Sequence, residues 1–288
     1  MTKALCVLAI LFVASPAASS QTDGERSKQF DKTVALPSGG YLSLNATKGS
    51  VKLTSWDRDE VAIHALIRAS RDVDADYARR SVEATTVEVT AGARDVRIRS
   101  NYDNVPSYKE WWLGGQSRDV PEIHYEIRAP RKLQLRLDID RSNTTVTAFE
   151  GRVDIVSDRS ELGVRGIAGR LAIEADRGGH SRLEDIRGSL DLEADRTDVT
   201  IAFSKLDARS SIEVDRGDVR IEVPSAQGLT LNADLTRRSG FDSDVALDKR
   251  SGDERRFTAD VNGGGPTLTL ESDRGRIRLV SRLGSGRP

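Results

Sequence analysis

Residues 171–203 read LAIEADRGGHSRLEDIRGSLDLEADRTDVTIAF, and their pattern decides the fold. Leu171, Ile173 and Ala175 alternate with polar residues, as do Leu190, Leu192 and Ala194, and then Val199, Ile201 and Phe203. Apolar residues at every second place are the period of a strand with one buried face. The first two runs stop at the same dipeptide, Asp176-Arg177 and Asp195-Arg196. If the strand continued, Arg177 would point inward, and an isolated guanidinium in an apolar core is prohibitively costly. The strand therefore ends there, with the arginine on a corner.

Working outward, the pair recurs as Asp140-Arg141, Asp158-Arg159, Asp176-Arg177, Asp195-Arg196 and Asp215-Arg216, in steps of 18, 18, 19 and 20 residues. Asp273-Arg274 is a late copy and Thr47-Lys48-Gly49 a diverged early one, while Gly151, Gly169 and Gly188 punctuate the other end of each unit. Each unit reads strand, corner, strand, corner. Two short strands cannot bury an apolar face alone, but stacked copies pair in parallel around a thin core. The expectation is an all-β, single-domain β-solenoid (a parallel β-helix or roll) with about 18–20 residues per turn. A β-sandwich is the alternative. A thin aliphatic core also explains why 288 residues hold only three Trp, five Tyr and six Phe. Asp72 to Ala84 is the best helical stretch, a short helix or loop between strands.

Stacked corners place like charges in columns, which repel unless neutralised. Neighbouring Asp and Arg columns can supply each other's counter-charge, a purely structural ladder. The competing reading, a calcium ladder on the Asp column, lacks the glycine-rich nonapeptide and leaves each Asp beside an Arg.

The first residues carry an export pattern. Lys3 precedes an apolar run of 11 residues, Ala4 to Ala14, and small residues follow from Ser15 to Ser20. That run is too short to span a bilayer and reads as a secretory signal, cleaved after Ser20. The expected organisation is a signal peptide at 1–20, a flexible linker at 21–33, the solenoid domain at 34–283 and a disordered tail at 284–288. Cys6 is the only cysteine and lies in the signal, so disulfides and cysteine-based zinc sites are excluded. The 44 Lys+Arg nearly balance 45 Asp+Glu, which argues against nucleic acid as a partner. No second long apolar run exists, so the mature chain should carry no transmembrane segment.

With these units laid out, the chain resembles the bacterial putative adhesin family, a secreted β-repeat domain of unknown function. The carriers are Gly49 to Val61 (GSVKLTSWDRDEV), Ile127 to Leu133 (IRAPRKL), the serial Gly-x-Val/Leu units, Gly263 to Leu270 (GGGPTLTL) and Gly275 to Leu279 (GRIRL). The likeness runs over roughly residues 34–281. It implies a β-helical envelope or surface protein, and it brings no catalytic residues.

Chemistry is sparse in the sequence. His64, His124 and His180 are dispersed, none in a nucleophile motif, and they read as surface residues rather than metal ligands. Gly263-Gly264-Gly265-Pro266 is a turn, since no phosphate-loop Lys follows. Neither catalytic residues nor a cofactor is expected. One segment breaks the alternation: Tyr102 to Pro121 (YDNVPSYKEWWLGGQSRDVP), a projecting loop that with Tyr125 holds five aromatics. Tyr108, Trp111 and Trp112 are the candidate binding residues, the indoles either capping the stack or presenting flat faces to a sugar or partner protein. The expected function is a non-enzymatic, exported binding or structural module of the periplasm, cell surface or medium. Its partner would be an envelope protein or glycan. A polysaccharide-acting enzyme on a parallel β-helix, or an envelope-stress signalling accessory, is the alternative.

Overall fold

The computed structural model describes residues 26–110, 115–117 and 119–282. Its elements run β1 (Ser27–Ala35), β2 (Tyr41–Ala46), β3 (Gly49–Trp56), β4 (Glu60–Arg68), α1 (Ala75–Ala84), β5 (Thr86–Ala91), β6 (Asp95–Asn101), β7 (Tyr108–Glu110), β8 (Gly115–Ser117) and β9 (Glu122–Pro130). There follow β10 (Lys132–Asp140), β11 (Ser142–Thr147), β12 (Glu150–Asp158), β13 (Leu162–Leu206), β14 (Ser210–Arg216), β15 (Val219–Pro224), β16 (Leu229–Ser243), β17 (Asp248–Gly252), β18 (Arg256–Val261) and β19 (Thr267–Arg282). The long β13 is not one straight strand. Pairing with neighbouring coils continues around its corners.

The coils stack in parallel. Leu135 pairs with Val153 and Val153 with Leu171 on the first face, while Thr144 pairs with Leu162 and Val199 with Val219 on the second. Parallel pairing of successive coils is the arrangement of a solenoid and not of an antiparallel sandwich. Between the faces lie the alternating aliphatics: Leu171, Leu190 and Ile212 from one, Leu183, Ile201 and Ile221 from the other, all fully buried. The few aromatics inside the repeats, Phe149 and Phe203, are fully buried too.

At the Asp-Arg pair the chain turns while pairing continues around the corner, and the backbone shows how. Arg141, Arg159, Arg177 and Arg196 take left-handed backbone conformations, with φ of 47, 51, 53 and 50°. This throws their side chains outward and turns the following residue in. After Arg177 that residue is Gly178; in the other three coils it is Ser142, Ser160 or Thr197, each at most 2% exposed. The hydroxyl satisfies the corner backbone: Ser160 Oγ accepts from the Ser142 N–H at 2.9 Å and donates to the Asp158 carbonyl at 2.9 Å. Thr197 repeats this between the Gly178 N–H and the Asp195 carbonyl. Buried backbone groups are thereby paired where the ladder is interrupted.

Two features depart from the sequence reading, and a third lay outside it. Residues 27–33, expected in a flexible linker, belong to β1, which pairs antiparallel with β4 from Ser27↔Arg68 to Ala35↔Glu60. Its exposed Gln29, Asp31 and Lys32 hide the strand, as is usual for an edge. Tyr125, grouped with the aromatic loop, is a core residue of β9 at 1% exposure, its hydroxyl 2.9 Å from Ser100 Oγ. Finally, β19 does not extend the stack at its end. Its first arm pairs with β14 on one side and β16 on the other, and its second arm lies beside β15 and the end of β16. The last coil in sequence is thus intercalated.

The segment Asp72–Ala84 does contain the helix. Asp74 caps α1, its carboxylate accepting from the Tyr77 N–H at 2.8 Å. Tyr77, Ala78, Ser81 and Val82 are buried, and the Tyr77 hydroxyl donates to the carbonyls of Pro106 and Asp119.

Candidate functional site

The Asp-Arg corners form a continuous zipper. Arg159 reaches Asp158 at 3.0 Å and Asp140 of the preceding coil at 2.9 Å, and Arg177 reaches Asp176 at 2.8 Å and Asp158 at 3.0 Å. Arg196 bridges Asp195 and Asp176 likewise, and Arg216 bridges Asp215 and Asp195. Partial desolvation works against the Asp195 carboxylate, but Arg196 and Arg216 outweigh it and hold its pKa below the usual range. Each inner aspartate therefore meets a guanidinium from its own coil and one from the next. No group of three or more His, Cys, Asp or Glu among the described residues is placed to hold a metal ion.

Beside the zipper, the first face carries a row of glutamates. Glu193 pairs in register with Glu213, Glu213 with Glu271, and Glu271 with Asp234. Glu174 lines the same groove as Glu193 and Glu213. These glutamates are exposed and have no ion-pair partner among the described residues. Along the groove's other side Arg152 holds Asp154 at 2.7 Å and Arg170 holds Asp191 at 2.8 Å. Such a row resembles the carboxylates of a glycan-cleaving groove, whose general acid is held protonated by burial, whereas these glutamates are exposed. The carboxylates that move, Asp195, Asp207 and Asp253, all move down; Asp207 is lowered first by its bond from Lys205, and Asp253 by the Arg256 and Arg255 backbone N–H groups.

The second face holds a different groove, floored by Gly163 of β13. Thr145 of β11 lies beside Gly163 in register, and Lys52 of β3 lies beside Thr145. Asn143, Glu161, His180 and Arg182 complete the walls. Lys52 sits where this groove meets another, whose far end is the half-buried indole of Trp56. Trp56 Nε1 donates to the Glu60 carbonyl at 2.8 Å, and the Arg58 guanidinium lies 5.0 Å from the ring centre.

The histidines are dispersed as the sequence suggests. His64 Nδ1 stands 2.7 Å from Asp31 Oδ1, His124 Nδ1 is 2.9 Å from Ser50 Oγ, and His180 lines the Gly163 groove. Of the binding candidates, Trp111 and Trp112 lie outside the described residues. Tyr108 belongs to β7, which pairs with β8 in a small antiparallel ribbon within the expected loop. Sequence reasoning missed the Gly163 groove. Its one available signal was a glycine near the start of a strand, at Gly163.

No curated protein matches the chain. Among solved structures it is similar to a protein described as "a putative cell adhesion protein" from Clostridium sporogenes ATCC 15579, at 10% identity and TM-score 0.36, covering 89% of this chain and 100% of that one. It is also similar to "a putative adhesin" from Bacteroides fragilis NCTC 9343, at 9% identity and TM-score 0.41, covering 88% and 97%. A "Putative lipid binding protein" from Parabacteroides distasonis ATCC 8503 is similar at 8% identity and TM-score 0.29, covering 87% and 96%. The family whose sequence pattern runs over residues 27–279, from β1 into the second arm of β19, is Toastrack DUF4097, and the chain belongs to it.

Proposed function

We propose that this protein is a non-enzymatic binding module of the bacterial envelope, adhesin-like, exported by a leader at residues 1–20 and built as one solenoid of about 18–20 residues per turn. The observation that carries this reading is the register of the coils. It fixes surface side chains in rigid columns one strand spacing, about 4.8 Å, apart, which presents extended polar surfaces rather than one enclosed reacting centre. The exposure of Glu174, Glu193, Glu213 and Glu271 supports the same view, because a carboxyl that serves as a general acid is held protonated by burial. Among the described residues, no helix is long and apolar enough to cross a membrane. The partner is an envelope protein or a glycan.

The test is co-sedimentation of the purified protein with bacterial envelopes, with the envelope polysaccharide assayed for new reducing ends. Retention on envelopes without new ends supports the proposal. Release of new ends that scales with protein concentration favours the polysaccharide-acting enzyme.

A further inference from the structure

We propose that the Gly163 groove is a carbohydrate-binding site for a chain of neutral sugars, an inference that rests on the binding-module reading and gives it a ligand class. The starting point is Gly163 itself. At Gly151, Gly169, Gly188, Gly217 and Gly275 the backbone has positive φ, and an added Cβ would collide with a backbone oxygen of the coil below, at 2.0–2.5 Å. The fold demands those glycines. Gly163 has no positive φ, and its Cβ would meet only the Thr144 carbonyl oxygen at 3.8 Å and Thr145 Oγ1 at 3.9 Å, ordinary contact. Here the fold would accept alanine, and glycine in a strand weakens it. A strand glycine stands at a bulge, at a bend, or where a backbone or ligand approaches closely. At Gly163 neither a positive φ nor a close backbone accounts for it, so we assign it to a ligand.

What surrounds it is suited to hydroxyl groups. Lys52 has no ion-pair partner among the described residues, although Glu126 is its neighbour on β9. Arg182 donates to Glu184 at 3.3 Å through one nitrogen, and its other N–H groups have no partner among the described residues. Asn143 spends its oxygen on the Glu161 N–H at 3.4 Å, which leaves its amide donors facing out. Thr145 and His180 add a hydroxyl and a ring nitrogen, and Glu161 supplies a carboxylate acceptor. Donors and acceptors thus stand on both sides of a flat floor, and Lys52 offsets Glu161 while Glu184 offsets Arg182. A floor open to the pyranose ring, rimmed by planar polar groups of cancelling charge, matches an uncharged polyhydroxylated chain better than a phosphate or a polyanion. The continuation past Lys52 to the Trp56 indole gives the chain an aromatic face further along.

The experiment is titration of the purified protein with short chains of neutral hexose, of N-acetylhexosamine and of hexuronate, alongside envelope co-sedimentation. Two variants accompany it, Gly163→Val, which fills the floor, and Lys52→Ala/Arg182→Ala, which strips the rim at exposed positions. The expected result is binding of a neutral chain, reduced about tenfold or more in both variants with unchanged melting. Should Gly163→Val melt early, the rim variant alone decides. Binding of a neutral chain that both folded variants retain overturns the site. Binding of hexuronate alone overturns the ligand class. If the wild type holds to envelopes yet takes none of the sugars, this inference fails and the binding-module reading stands; if it holds to neither, that reading fails as well.

Discussion

Gly275 lies directly over Gly217, with its Cα aimed so that an added Cβ would stand 2.0 Å from the Gly217 carbonyl oxygen. Next to it the Arg276 N–H donates to Asp218 Oδ1 at 2.8 Å. Residues far apart in sequence thus make the same corner contact that consecutive coils make elsewhere, as Gly169 does over Gly151. Gly275→Ala should destabilise by about 2–4 kcal/mol, because it combines a positive φ with a backbone collision. Gly163→Ala should be neutral or stabilising by up to about 1 kcal/mol. Denaturant melts of the two variants check this, and similar losses in both would contradict it.

The intercalated position of β19 makes a second prediction. Leu268, Leu270, Ile277 and Leu279 are buried between neighbours on both sides. A chain ending at Pro266 should lose cooperative unfolding and bind a hydrophobic dye, since β14, β15 and β16 would all lose a parallel partner. A sharp, native-like melt of that truncation would show that β16 can close onto β14 by itself.

Core and zipper should respond very differently to mutation. Leu192→Ala should cost about 2–5 kcal/mol, since the side chain fills space between two coils. Asp195→Asn should lower the denaturation midpoint only slightly, because the exposed charges are screened and Arg196 and Arg216 keep other aspartates. Comparable losses from the two would mean that the zipper, not the packing, holds the coils together.

Stability should fall at both ends of the pH scale for separate reasons. Asp195, Asp207 and Asp253 have depressed pKa values in the fold, so their contribution is complete above the unfolded carboxylate pKa of about 4 and is lost as pH falls through the lower folded values. Asp195→Asn and Asp207→Asn should flatten the acid limb of a melting-temperature profile.

At the alkaline end, burial pushes the Tyr125 hydroxyl up to about 12, against a partial offset from its bond with Ser100, and burial also raises Tyr102. A raised phenol favours folding below its unfolded pKa of about 10, and that advantage disappears as pH climbs toward the folded value. In tyrosinate absorbance Tyr102 and Tyr125 should therefore titrate late, appearing with unfolding. Tyr125→Phe should remove one of them. Titration of every tyrosine at the ordinary value in the folded protein would contradict the burial of this pair.

Much of this was legible because it is local. The alternation at Leu171, Ile173 and Ala175 and the argument that Arg177 cannot point inward locate a corner with no knowledge of the rest of the chain. The left-handed arginine and inward hydroxyl of Ser142, Ser160 and Thr197 then satisfy it. What the sequence concealed is long-range or edge-like. Nothing near Gly275 says that its partner is Gly217 rather than a residue of β16, because any in-register coil offers the same backbone edge. The charges of β1 masked a strand, and Tyr125 was counted with the aromatics of the loop because it lies just beyond Pro121 in sequence, while its neighbours in space are Ser100 and the core. The Gly163 groove was hidden in another way, since its walls come from coils widely separated in the chain.

The central claim is that this protein binds through the face carrying Gly163 and performs no chemistry on its partner. It is tested most directly by envelope co-sedimentation of three proteins side by side: wild type, Gly163→Val, and Glu174→Ala/Glu193→Ala/Glu213→Ala on the opposite face. The account predicts that wild type and the glutamate variant sediment alike, that Gly163→Val stays in solution while folded, and that no envelope sugar is released. Loss of sedimentation in the glutamate variant alone, or release of sugar that disappears with those glutamates, would contradict it.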